Sequence, residues 1–262
     1  MTYEEYAALP GTNATSIKAG VVSMLHMRQA MTGKSKDETP ALRWGRLVHK
    51  AVLEPETYGV TVSVWEGGRR FGKAYDSFVD EAGGKEWIVK ADENATLLEM
   101  IAAVHGNTDA HRLIATSEHE KTVLWEGGKA RVDMLGANNE WFADLKTTAR
   151  IDGFGRQFFN LGYDIQFGHY CTGTGAERAY AIVLESAAPF DCVVYRIPDH
   201  IIDRGKEQAI EIARHYHVCE LCGTFPGIGN GESMLDLPVP AWITGDKEWT
   251  PNETEASNGT LA

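Results

Sequence analysis

Cysteine is scarce: Cys171, Cys192, Cys219 and Cys222 are the four in 262 residues. So few in so long a chain do not make a disulfide framework, and a reducing, cytoplasmic setting is expected. No run approaches the ~18 consecutive apolar residues of a membrane span. The opening MTYEEYAALPG is acidic and lacks the positive-then-apolar order of a secretory leader. Basic charge is also short, with 25 Lys and Arg against 37 Asp and Glu and a net charge of −12. That balance counts against a protein that coats nucleic acid nonspecifically and against an anionic membrane partner. It leaves room for nucleic-acid contact through a metal site and a few local cations. Motifs are missing too. There is no G-x-x-x-x-G-K-[ST] loop, no G-x-G-x-x-G after a strand, no G-x-S-x-G elbow and no H-E-x-x-H pair. Hydrophobic content of 43% suits a globular protein with one sizeable core or two small ones.

What is present centres on residues 129–148, KARVDMLGANNEWFADLKTT. Two apolar arms flank a turn-rich GANNE, which predicts a β-hairpin. A turn centred on Asn138 and Asn139 sets Asp133 directly opposite Asp144 on one face, with Cβ atoms ~4.5–5.5 Å apart. Alternation puts Lys146 on that face too, with Arg131 across from it. Carboxylates so close repel, and the usual reason to keep them is a hard divalent cation. Upstream, residues 119–126 predict a strand joined to the first arm by a Gly127-Gly128 turn. That register sets Glu120 opposite Leu135, diagonal to Asp133. Glu120 is then either a further acidic group of the site or a solvated charge.

The flanking segments supply the rest. A helix is predicted from a cap at Thr15 or Ser16 to about Met31, with Gly33 past its end. A polar linker, SKDETP, leads to an amphipathic helix over 41–54. His49 lies beside its apolar stripe, where a satisfied buried histidine is the plain reading. A strand over 60–65 precedes EGGRRFGKAYDSFVDEAGGKEW. Arg69, Arg70 and Lys73 make that segment either a solvated loop or a mobile basic loop that meets phosphates. Helices are expected over 92–115, capped by Asp92, and over 154–174. On the latter, Tyr163, Gln166 and Tyr170 share a face and read as a site wall. Strands over 178–185 and 191–197 precede a helix over 199–222. His215, His217, Cys219 and Cys222 are compact enough for zinc, but the two histidines point to different faces of a helix. Two ordinary histidines and two buried thiols are expected instead. Residues 1–244 read as one domain, and 245–262 as a polar, disordered tail.

Two facing carboxylates with an adjacent lysine suit metal-assisted phosphodiester hydrolysis. Asp133 and Asp144 would hold Mg²⁺, with Mn²⁺ able to substitute and the Leu145 carbonyl as a further oxygen ligand. Lys146 would orient the attacking water and stabilise developing negative charge.

The hairpin resembles the D…(D/E)-x-K core of the PD-(D/E)XK nuclease superfamily. Gly45–His49 resembles the G-x-x-x-H helix motif of its RecB-type branch, and Gln166 with Tyr170 its downstream Q-x-x-x-Y. The wider text resembles the RecE-type (exonuclease VIII-like) nuclease domain of phages and prophages, from about residue 3 to 243. It comprises Y-x-x-L-P-G…S-x-K, LVHKAVLEPETY, K-x-R-x-D at Lys129–Asp133, DLKTT, GYDIQFGHY and C…PG…LPVPAW. The resemblance implies a restriction-endonuclease-like α/β fold, a central mixed sheet flanked by helices. It implies His49 as a metal ligand, and Gln166 and Tyr170 as members of the catalytic set. It makes Arg69, Arg70, Lys73 and Arg131 candidates for DNA contact. The implied activity is Mg²⁺-dependent, processive 5′→3′ degradation of one strand of linear duplex DNA. The implied partners are double-stranded DNA ends and a single-strand annealing protein, and the implied assembly is a ring-like homo-oligomer. Departures are FPG where a tryptophan precedes Pro-Gly, and the lack of a long N-terminal extension, which suggests an isolated catalytic domain. An iron–sulfur branch needs a cysteine upstream of the core, and none precedes Cys171. The competing readings are a silent module that grips DNA ends or a partner, and a nuclease of endonuclease or single-strand specificity. The intact D-x-K argues against the first. Glu120 and Glu185 stay open as extra ligands.

Overall fold

Asn13, not Thr15 or Ser16, starts the first long helical run. The computed structural model describes residues 3–33, 39–232 and 234–239. It opens on α1 (Tyr3–Ala8) and then α2 (Ala14–Val22). The Asn13 side chain accepts the Ser16 amide, and Ser16 Oγ accepts the Asn13 amide in return. The helix predicted to run unbroken to Met31 is two. Extended Ser23 ends α2 and caps α3 (Met24–Thr32) by accepting the His26 amide. Part of the predicted SKDETP linker lies outside the described residues. Thr39 then caps α4 (Pro40–Leu53), with Pro40 in the first turn, where no amide is needed. Pro55 opens α5 (Pro55–Thr61), so the strand predicted over 60–65 shrinks to β1 (Ser63–Trp65). The basic glycine-rich segment is not all loop: it contains α6 (Lys73–Glu81). It is followed by β2 (Ile88–Lys90), which pairs parallel with β1. Next come α7 (Ala91–Gly106), which begins ahead of the predicted cap Asp92, and α8 (Thr108–Ala115), capped by Asn107.

The main sheet takes its strands in chain order: β3 (Ser117–Trp125), β4 (Gly128–Gly136), β5 (Trp141–Thr148), β6 (Arg178–Glu185) and β7 (Cys192–Arg196). It is mixed, with β5 and β6 parallel and the other pairs antiparallel. A parallel pair requires a crossover. Helices α9 (Phe154–Asn160) and α10 (Tyr163–Thr174) supply it, split at left-handed Gly162 where one helix over 154–174 was predicted. Helix α11 (Asp199–Cys222) follows the sheet, as predicted.

Alternation along β6 sorts the core into layers. Ile182 and Leu184 pack with Leu47 and Val48 of α4 and Leu97, Met100 and Val104 of α7. Ala179, Ala181 and Val183 pack with Phe154, Phe158, Phe167 and Tyr170 on the other side. A strand buried on both faces reads as a continuous apolar run, and RAYAIVLE does. Outside α10 lies a third cluster, where Ile17, Met24 and Met27 meet Ile165, Ala209 and Tyr216. Helices α10 and α11 touch backbone to backbone. A Cβ on Gly205 would stand 2.1 Å from the Asp164 carbonyl oxygen, and one on Gly168 2.1 Å from the Gly205 carbonyl carbon.

The N-terminal segment is stitched to the sheet. Thr12 N–H donates to the Gly127 carbonyl at 2.9 Å, and Lys129 N–H donates to the Thr12 carbonyl at 2.8 Å. The buried Lys129 ammonium donates to the carbonyls of Tyr6, Ala7 and Leu9, at the end of α1. Residues Met1–Phe225 form one unit and Pro226–Ala262 a second, which over its described residues has no regular helix or strand. The end of LPVPAW and the predicted tail from 245 lie outside the described residues. The cysteines are all free; Cys171, Cys192 and Cys219 are buried, but Cys222, predicted buried, is exposed.

Candidate metal and phosphodiester site

Strands β4 and β5 share two ladder pairs, Met134–Ala143 and Leu135–Phe142. These carry the register predicted for Asp133 opposite Asp144, but the strands part before reaching that pair. β5 instead stays paired with β6 along its whole length. Asp133 fills the gap: its Oδ2 accepts the Leu145 amide at 2.8 Å. Alternation breaks there, since Val132 packs on the α10 side of the sheet and Met134 on the α4 side. The two carboxylates therefore meet at a split in the sheet rather than on one plain face.

The β3–β4 register differs from the prediction by two residues. Glu118, not Glu120, opposes Leu135, because the turn falls at Glu126-Gly127. An even shift keeps every side chain on its face. It brings Glu120 level with Asp133, where the ladder is interrupted and Glu120 adopts φ +50°.

Three elements converge on this point. His49 from α4, Glu120 from β3 and Asp133 from β4 each present a ligand atom within 4.8 Å of the others. Among the described residues this is the one such group of three or more His, Cys, Asp or Glu; His215, His217, Cys219 and Cys222 do not form one. His49 Nε2 lies 2.7 Å from the Leu145 carbonyl oxygen. A carbonyl only accepts, so Nε2 carries the proton, and in the neutral ring Nδ1 keeps its lone pair. Nδ1 lies 3.5 Å from Asp133 Oδ2. Burial, then the neighbouring Asp144, pushes the Asp133 carboxyl up to about 7; Glu120 adds to this, while His49 and Lys146 oppose it. A crowded carboxyl beside an imidazole and a second carboxylate fits a hard or borderline divalent cation.

Asp144 stands beside that triad, not in it. It is fully buried, and its Oδ1 accepts Gln166 Nε2 at 2.9 Å. Its Oδ2 forms an ion pair with Lys146 but has no aligned hydrogen bond. Burial pulls the Lys146 pKa down, but Asp144 and Asp133 outweigh it and hold the ammonium above its ordinary value. Its Nζ also lies 4.6 Å from the centre of the Tyr163 ring. Gln166 Nε2 reaches Tyr170 Oη at 3.2 Å. Burial, then Asp144 and Asp133, drives the Tyr170 hydroxyl well above its usual range, so it stays neutral. Tyr163, Gln166 and Tyr170, the predicted shared face of α10, thus all stand against the Asp144–Lys146 pair or its hydrogen-bond partner.

Lys18 is a member that the residue pattern did not single out. From α2 its ammonium lies 3.3 Å from Gln166 Oε1 and 5.2 Å from the Tyr163 ring centre. Burial, then repulsion from Lys146, lowers it to about 8 against the pull of Asp144. The signal available was the S-x-K of the opening text, which carried no role by itself.

Other predicted residues lie elsewhere. Arg131 faces Thr122, not Lys146, because β5 has left β4 by then, and its Nε donates to Glu120 Oε2 at 2.6 Å. Arg70 pairs with Glu93, exposed Arg69 lies over its neighbour Phe71, and exposed Lys73 begins α6. Glu185 Oε1 accepts the Ile151 amide at 3.1 Å and so anchors a loop.

A mixed five-stranded sheet flanked by helices that carries D…D-x-K fits a PD-(D/E)XK-like domain. The chain belongs to the family described as a PDDEXK-like domain of unknown function (DUF3799), whose profile matches residues 15–232. A candidate exonuclease from Eubacterium rectale, 16% identical, superposes over 93% of this chain and 97% of its own with a TM-score of 0.57. It shares the fold. A phage-related exonuclease from Haemophilus somnus 129PT, 14% identical, aligns over 81% of this chain and 96% of its own with a TM-score of 0.35. No curated protein matches the chain.

Proposed function

We propose that this protein is a divalent-metal-dependent deoxyribonuclease that hydrolyses linear double-stranded DNA from its ends. The observation that carries the reading is the pair of buried Asp144 and half-buried Lys146 standing beside the His49, Glu120 and Asp133 triad. His49 Nδ1, Glu120 and Asp133 would hold Mg²⁺ or Mn²⁺, with Asp144 and the Leu145 carbonyl bordering the same position. Such an ion, when bound, lowers the pKa of its water and neutralises charge at phosphorus. Asp144 holds the Lys146 ammonium where it can orient the attacking water and meet developing negative charge. Gln166 fixes the other oxygen of Asp144, and the Tyr170 hydroxyl flanks Gln166. Lys18 has no carboxylate at ion-pair distance among the described residues, so a phosphate oxygen is a natural partner for its desolvated charge.

The RecE-type resemblance supports the finer reading: 5′→3′ polarity, a 3′ overhang passed to a single-strand annealing protein, a ring-like homo-oligomer and action in the cytoplasm. The name of the E. rectale relative supports exonuclease chemistry. The test is the purified chain with Mg²⁺ on end-labelled linear duplex and on covalently closed circles. Linear DNA should be degraded, circles spared, and EDTA should stop the reaction. Cut circles would replace the reading with an endonuclease. Tight end binding with no hydrolysis in Mg²⁺ or Mn²⁺ would replace it with the silent module.

A further inference from the structure

A cleft of about 460 Å³ lies beside α4, away from the metal triad. Arg43, Trp44, Arg70, Tyr75, Lys85 and Glu93 line it. The volume is within the range of small-ligand pockets. Its charge is unlike that of the chain, which carries −12 overall. Three cations face one carboxylate, and Glu93 is taken up by Arg70. Among the described residues neither Arg43 nor Lys85 has a carboxylate at ion-pair distance. Instead the Arg43 guanidinium donates to the Ile88 carbonyl, and Arg70 Nη2 approaches the same oxygen at 3.5 Å. Two guanidiniums converging on one carbonyl repel each other. The Arg70 Nε is buried with no acceptor. The convergence of the two guanidiniums is what calls for an anion; the enclosed Nε shows only that Glu93 leaves Arg70 incompletely satisfied. Trp44 lines the same cleft, half-buried, with part of its side chain packed against the core.

We infer that this cleft holds one unpaired nucleotide of a DNA strand, its base against Trp44 and its phosphate against Arg43 and Arg70. An aromatic platform beside guanidinium groups is the chemistry that grips single-stranded nucleic acid. The nucleotide must be unpaired, because the bases of a duplex are stacked on one another and offer no face to a side chain. His49 lies six residues beyond Arg43 on α4, a rise of about 9 Å and a turn of about 120° round the helix, so a strand engaged at the metal site would reach the cleft by passing round α4. That DNA arrives at all rests on the nuclease reading; how this nucleotide is held rests on the cleft alone.

The test uses the full chain in Ca²⁺ with a fluorescent oligothymidylate and a blunt hairpin duplex, read by anisotropy. Arg43→Gln and Trp44→Ala should each weaken oligothymidylate binding by about tenfold, and Trp44→Phe should recover most of it. Blunt duplex binding should change much less. Hydrolysis of thymidine 5′-(p-nitrophenyl phosphate), which needs only the metal site, should be unchanged in Mg²⁺. Undiminished oligothymidylate affinity in Arg43→Gln and Trp44→Ala overturns the inference. So does a wild-type chain that binds thymidine monophosphate as tightly as the oligonucleotide, which assigns the cleft to a free nucleotide. Weakened binding in a chain that hydrolyses nothing keeps the cleft and removes the nuclease reading. Hydrolysis with undiminished binding in both variants does the reverse.

Discussion

Asp133 is where pH enters. Its folded pKa of about 7 lies above the ~3.9 of an unfolded aspartate. Between those values the folded chain holds a proton that the unfolded chain has released. The metal-free protein should therefore lose stability as pH rises from about 4 to about 7, and level off above. On the proposed metal reading a cation would compete for the same carboxyl, and its affinity should climb over that window. Melting curves across pH, with and without Mg²⁺, check both signs, and Asp133→Asn should flatten the metal-free curve. Lys146→Ala should lower kcat by about 10²–10³ while metal affinity is largely kept. Unchanged turnover would take Lys146 out of the mechanism. The motif residues were legible because D-x-K and Q-x-x-x-Y each lie on one element, and Asp133 is tied to D-x-K by a single short turn. Lys18 was not, because its role depends on α2 packing against α10, a contact between segments about 150 residues apart.

At the scale of elements, the crossing of α10 and α11 fixes where Gln166 and Tyr170 sit. Two glycines let the backbones touch, so a methyl group there meets main chain that cannot swing aside. Gly205→Ala should destabilise the fold by about 2 kcal/mol or more. It should also lower activity below the melting transition by shifting α10. A thermal melt with a parallel activity assay measures both, and a native-like variant would show that the contact has slack. Helix α11 and strands β5 and β6 were readable because their patterns are long. Three-residue β2 was not, since so short a run carries no period. The break at Ser23 was hidden because a single serine is all that marks it. The hairpin residues gave the β4–β5 register but not its end, because the pull comes from β6, which lies beyond two helices.

Across the molecule, the site draws on α2, α4, β3, β4, β5 and α10, so its geometry is a property of the whole first unit. The stitching of residues 6–12 onto the sheet is part of that. Removing the chain ahead of Thr12 would strip the buried Lys129 ammonium of its carbonyl acceptors and free the start of α2, which carries Lys18. A chain cut there should lose more turnover than its intact triad suggests, with kcat compared between the two forms as the measure. For anyone preparing this protein, the leading residues are no convenient handle. Under the proposed reading, a tag removal that nicks a short way into residues 1–12 should yield material with its triad intact and its turnover low.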